Sequence, residues 1–290
     1  MKKTYLLLSL ICVPLFLVRM FELTQQTDYQ TGFYIGGNQL HRIAALLLLV
    51  ATVVAVLRIY KKRNLCAPET ISRDFMSAVL FALSGFFTLA SSIAMYLSIK
   101  IPNPILHFFD SREQMRLYGA SSPHFKMILV CVVLGVFAAA WFLLCAYCLF
   151  IKKEDVLRGN IFSALPVLWL SARAIEIFID TPVNKYDSIR IVTMAGILML
   201  AIFYLRFAQF FSISHSDRVF RGMVTTSMLA FLWIIGLGAA TMIFFMRHGE
   251  FVNTVLQLTD CTIASAALFS VANLIDKGET SCRTEKLSES

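Results

Sequence analysis

The chain has 290 residues, of which 58 % are hydrophobic and 15 % charged, and its mean hydropathy is +0.72. A water-soluble domain has no interior large enough for that much apolar surface, whereas a bilayer takes it up directly. The formal charge of +8 therefore speaks for topology and contact with anionic lipid, not for nucleic acid.

Read in order, the chain predicts an all-α, polytopic helix bundle with eight transmembrane helices. Lys2 and Lys3 precede an apolar run that ends near Met20. No small-residue cleavage site follows, only Arg19, Met20, Phe21 and Glu22, so the run reads as an uncleaved first span near 5–20. A polar link with turn residues Gly32, Gly36 and Gly37 leads to a second span near 41–58. Lys61, Lys62, Arg63 and Arg73 then mark a basic loop. The third span, 75–97, carries Ser77, Ser84, Thr88 and Ser91 along one stripe, a pattern that suits close helix packing.

The link 100–126 is the longest. Asn103 and Pro104 form a helix start and Gly119 a helix end, with enough apolar residues between them for a short helix lying on the membrane. The remaining spans fall near 127–150, 161–179, 191–211, 222–246 and 254–275. Gly236, Gly238, Ala239 and Ala240 in the seventh allow a neighbour to approach closely. Residues 1–275 thus form one transmembrane domain, and 276–290 read as a polar, disordered tail.

Eight spans put both termini on one side. The larger share of the 26 Lys and Arg falls on that side, which makes it the cytoplasm and the host membrane a bacterial plasma membrane. Of the seven cysteines none is expected on an outer loop, so no disulfide framework is implied. Cys145 and Cys148 have redox spacing but lie inside a span with no second pair.

The fifth span is the unusual one. Trp169, Arg173, Glu176 and Asp180 recur at i, i+4, i+7 and i+11 and share a helix face, with Pro166 one step before them placed to kink the helix. Taking the middle near Leu170, Arg173 lies ~4–5 Å from the midplane at 1.5 Å per residue. A charge at that depth needs a partner or water. In the eighth span Gln257 and Asp260 stand at i, i+3, with Asp260 ~6–7 Å to the outer side of the middle. The depths match, so Arg173 can pair with Asp260 or with Glu176. Trp169 and Trp233 sit mid-span rather than at the interfaces, either packing helices or walling Arg173. Tyr5, Tyr60, Tyr147 and Tyr204 fall near span ends, as an interfacial belt requires.

Two function classes follow. In the first, Arg173, Glu176, Asp260, Trp169 and Gln257 bind or pass a small polar ligand through an outward-facing cavity. In the second, the charges are structural and the protein is a non-enzymatic membrane sensor or assembly subunit. The sequence has no His-Glu-x-x-His, no phosphate-binding Gly-Lys-Ser/Thr loop and no Gly-x-Ser-x-Gly, so an enzyme reading has no motif beneath it, and no cofactor is expected. His41, His107, His124 and His248, with Asp110 and Glu113, show no metal-ligand spacing. The expected partners are the bilayer and, in the first class, the ligand; no protein partner is specified.

Three stretches, Asp28-Tyr29-Gln30-Thr31-Gly32-Phe33, Pro166-Val167-Leu168-Trp169 and Phe203-Tyr204-Leu205-Arg206-Phe207-Ala208, together resemble a group of uncharacterised multi-spanning membrane proteins of Gram-positive anaerobes. The resemblance implies an architecture and carries no catalytic or binding residue.

Overall fold

A computed structural model describes residues 2–25, 27, isolated positions between 43 and 54, 75–100, 123–151, 161–179, 187–212 and 216–288. The described residues form helices and no β-strand: α1 Lys2–Gln25, α2 Phe75–Lys100, α3 Pro123–Ile151, α4 Leu165–Ile179, α5 Asp187–Ser212, α6 Asp217–Trp233, α7 Ala239–Arg247 and α8 Phe251–Ser288. A 3-10 turn, Ile161–Ala164, leads into α4, and a π segment, Ile234–Gly238, joins α6 to α7. Six stretches are long and apolar enough to cross a membrane: Phe75–Ser98, Lys126–Ile151, Phe162–Ile179, Ile189–Phe211, Asp217–Arg247 and Phe251–Ile275. The protein is therefore a helical bundle with the makeup of a multi-pass membrane protein.

These six answer to the third to eighth predicted spans. At the place of the first, α1 is a 24-residue helix whose opening side chains lie outside the described residues. Of the second, only Ile43, Leu47, Val50, Ala51, Val53 and Val54 are described, all helical. The predicted surface helix after Asn103, and His41, His107, Asp110, Glu113 and Asp180, lie outside the described residues.

Polarity is turned inward and apolarity outward. On α2 the hydroxyl stripe Ser77, Ser84, Thr88, Ser91 and Ser92 is buried, while Phe75, Phe86 and Ile93 are exposed. Each of the last four hydroxyls donates to a carbonyl of its own helix at 2.7–2.9 Å, the local satisfaction a water-free interior demands. Two bonds tie α2 to α8: Thr259 Oγ1 donates to the Phe87 carbonyl at 3.1 Å, and Asn273 Nδ2 to Ser77 Oγ at 3.2 Å. On α1, Cys12, Leu15, Arg19 and Leu23 form the buried stripe and Leu10, Val13, Leu17 and Phe21 the exposed one. In water such exposed residues would be a liability; in a bilayer they are the lipid contact.

Packing follows the small residues. α2 lies along α3 and α8, α4 sits against α3 and α5, α5 pairs with α6, and α1 leans on the π segment and α7. A Cβ at Gly236 would lie 3.3 Å from Leu15 of α1, so the missing side chain admits that helix. In the π segment the Ala239 N–H bonds the Ile234 carbonyl, five residues back, the one extra residue per turn that defines it.

Four expectations are corrected. Pro166 lies in the first turn of α4, after the 3-10 turn, so it starts the helix where its missing N–H costs nothing and does not kink the middle. The seventh span begins at Asp217 because the Ser216 side chain caps it, accepting from the Val219 N–H at 3.4 Å. Tyr204 is no belt residue: it is fully buried in an aromatic cluster with Trp141, Phe142 and Phe203. The residues after Ile275 continue α8 to Ser288 instead of forming a disordered tail.

Candidate functional site

α4 turns one face inward, and its buried residues are Pro166, Trp169, Leu170, Ala172, Arg173, Ala174 and Glu176. That face is the apolar stripe of an amphipathic helix with two charges set into it, so the charges are carried into the interior by the residues around them. α8 presents Leu256 and Asp260 from the other side, both buried. α4 has α3 and α5 as its main backbone neighbours, so the Arg173 side chain reaches across to α8.

Arg173 and Asp260 meet as a bidentate pair. Nη1 donates to Oδ1 and Nη2 donates to Oδ2 at 3.1 Å. Both residues are only 2 % exposed. Two parallel N–H···O bonds match the planar guanidinium to the planar carboxylate, which fixes the relative rotation as well as the distance of the two helices. The Arg173 Cζ also lies 5.1 Å from the centroid of the Trp169 ring, so the indole covers one face of the cation. Glu176 is buried one turn further along α4, and Cys131, Ala172, Val252 and Leu256 close the surroundings with apolar surface.

Sequence reasoning singled out five residues here, and they fall into two groups. Trp169, Arg173, Glu176 and Asp260 share one neighbourhood. Gln257 faces elsewhere: its Nε2 donates to Thr193 Oγ1 of α5 at 2.9 Å, and a Cβ at Gly238 in the π segment would lie 3.4 Å from its Oε1. Trp233 does not wall Arg173, since its Nε1 donates to the Val192 carbonyl at 2.7 Å and ties α6 to α5. Trp141 belongs to the aromatic cluster.

Gly135 is the residue that sequence reasoning missed. A Cβ there would stand 2.1 Å from Ser92 Oγ and 2.9 Å from Trp169 Nε1, so α2, α3 and α4 meet at this point only because the residue has no side chain. Its signal in the sequence was a lone glycine in the middle of an apolar span. Among the described residues no group of three His, Cys, Asp or Glu side chains could hold a metal ion. Cys12, Cys131, Cys145, Cys148 and Cys261 are buried.

Chemically the arrangement is a neutralised ion pair held in a closed, mostly apolar interior. Neither member is presented to solvent, and each occupies the other's hydrogen-bonding edge. No family model, no curated protein and no solved structure matches the chain.

Proposed function

We propose that the protein is a non-enzymatic, multi-pass membrane component, a sensor or assembly subunit, in which the Arg173–Asp260 pair is structural. The observation that carries this reading is the burial of a bidentate pair at 2 % exposure on both sides. An arginine kept for a ligand would present its guanidinium edge to a cavity, whereas here Asp260 fills it. The proposal includes eight spans, both termini on the cytoplasmic face, a bacterial plasma membrane and kinship with the uncharacterised group named above. A membrane-impermeant maleimide applied to intact cells then leaves Cys66 and Cys282 unlabelled and labels a cysteine placed at Ser121; labelling of Cys66 from outside reverses the orientation.

The second reading is binding or transport of a small polar ligand at the same residues. What favours it is the π segment beside Gln257, one helical turn from Asp260, because π turns are a recurrent feature of functional sites. A thermal-shift screen of small polar solutes separates the two, since a ligand of the folded state raises apparent stability. The structural reading expects no solute whose effect is lost in the doubly neutral variant Arg173→Leu/Asp260→Leu. A solute that stabilises the wild type and not the folded double variant establishes the ligand reading instead.

A further inference from the structure

α5 ends and α6 begins at the same end of the bundle, and three arginines gather there. Arg218 and Arg221, both exposed, line a groove of about 480 Å³ together with Asp217, Gly222 and Thr225. Arg206, also exposed, comes from α5: its Cγ, Cδ and Nε lie 3.6–4.0 Å from where a Cβ at Gly222 would be, so its stem runs over α6 at the groove. Gly222 thereby brings the arginine of one helix beside the two of the other. Arg206 Nη1 also donates to Gln209 Oε1 at 3.1 Å, which holds the guanidinium on the α5 side. Among the described residues Asp217 is the one carboxylate lining the groove, and it opposes an anion there.

The surface below the arginines decides the kind of anion. Leu198, Ile202 and Leu205 are exposed on α5 at 43 %, 48 % and 46 %, and with Arg206 they follow the i, i+4, i+7, i+8 spacing of one helix face. A cationic groove sits at the end of an apolar strip that runs along a candidate membrane span. That is the order of charges and apolar surface in an amphiphile with an anionic head. Arginine forks take phosphate oxygens in pairs, and basic pockets at span ends suit phosphodiester headgroups.

We propose that this groove binds the phosphate headgroup of an anionic lipid, with an acyl chain along Ile202 and Leu205. The site lies apart from the Arg173–Asp260 pair and does not depend on the role given to it. The test uses the full-length protein in detergent, with native mass spectrometry reading retained lipid. Phosphatidylglycerol should be retained in preference to phosphatidylcholine, and less so as salt rises, because exposed charges are screened. Arg206→Gln, Arg218→Gln and Arg221→Gln should each weaken retention roughly five-fold. Asp217→Asn should strengthen it, an effect that a merely weakened fold would not produce. A variant with lysine at all three arginine positions keeps the charge and should retain more lipid than the glutamine variants. Equal retention of phosphatidylglycerol by the wild type and by folded Arg218→Gln and Arg221→Gln overturns the proposal. Displacement of the lipid by inorganic phosphate at an ionic strength at which chloride leaves it bound also overturns it, because the groove would then be a site for free phosphate.

Discussion

Arg19 on α1 and Arg173 on α4 are both buried, at 5 % and 2 % exposure, and each meets a carboxylate. One Arg19 partner is Glu22, three residues on in the same helix, at 2.6 Å, with 13 % of its side chain exposed. The Arg173 partner is Asp260, 87 residues away on another helix and almost fully enclosed. The difference lies in what each pair requires of the fold. A bond at i, i+3 forms wherever its helix forms, so that bond by itself lowers the cost of carrying an arginine and chooses no neighbour. A bidentate pair between helices forms only when both have the right depth and rotation. It therefore selects one docking of α4 on α8 over its slipped alternatives, a role well attested for buried polar groups that set register.

The comparison can be broken most forcefully at Arg173. Arg173→Leu strands Asp260 in an apolar interior and should cost about 3–5 kcal/mol, read as lost folded yield and a lower unfolding temperature in detergent. The next effect in size tests the enclosure of Arg173. Gly135→Ala drives a methyl group into Ser92 and Trp169 and should cost about 1–3 kcal/mol, with part of the loss recovered when Ser92→Ala is added. An unchanged unfolding temperature for Gly135→Ala would show that the three-helix contact is looser than described. Third, Thr193→Ala removes one uncharged hydrogen bond to Gln257 and should cost about 1 kcal/mol, well below the charged pair. The smallest effect is the Arg19–Glu22 coupling. A double-mutant cycle on that pair should return only about 0.2–0.5 kcal/mol, and a value equal to that of Arg173–Asp260 would erase the distinction drawn here.

What the sequence made legible follows from what a one-dimensional pattern encodes. The spans from Phe75 onward were readable because apolar length is itself a sequence property. The depth match of Arg173 and Asp260 was readable too, since rise per residue is fixed. Rotation about each helix axis relative to its neighbours is not encoded that way. The choice of Asp260 over Glu176, the turning of Gln257 toward Thr193 and the burial of Tyr204 all depend on it. The π segment escaped as well, because Gly236 and Gly238 signal close approach of a neighbour but not the extra residue in the turn. Pro166 misled because one 3-10 turn before it shifts the helix start and converts an expected kink into an N-terminal residue.

The central claim, that Arg173 and Asp260 hold α4 to α8 as a matched pair, is tested most directly by a double-mutant cycle on those two positions. Unfolding is followed in one detergent for the wild type, Arg173→Leu, Asp260→Leu and the double variant. Each single change should be strongly destabilising, whereas the double variant should recover most of the loss, because removing both partners strands neither of them. Single variants as stable as the wild type, or a double variant whose loss equals the sum of the two, would contradict the account.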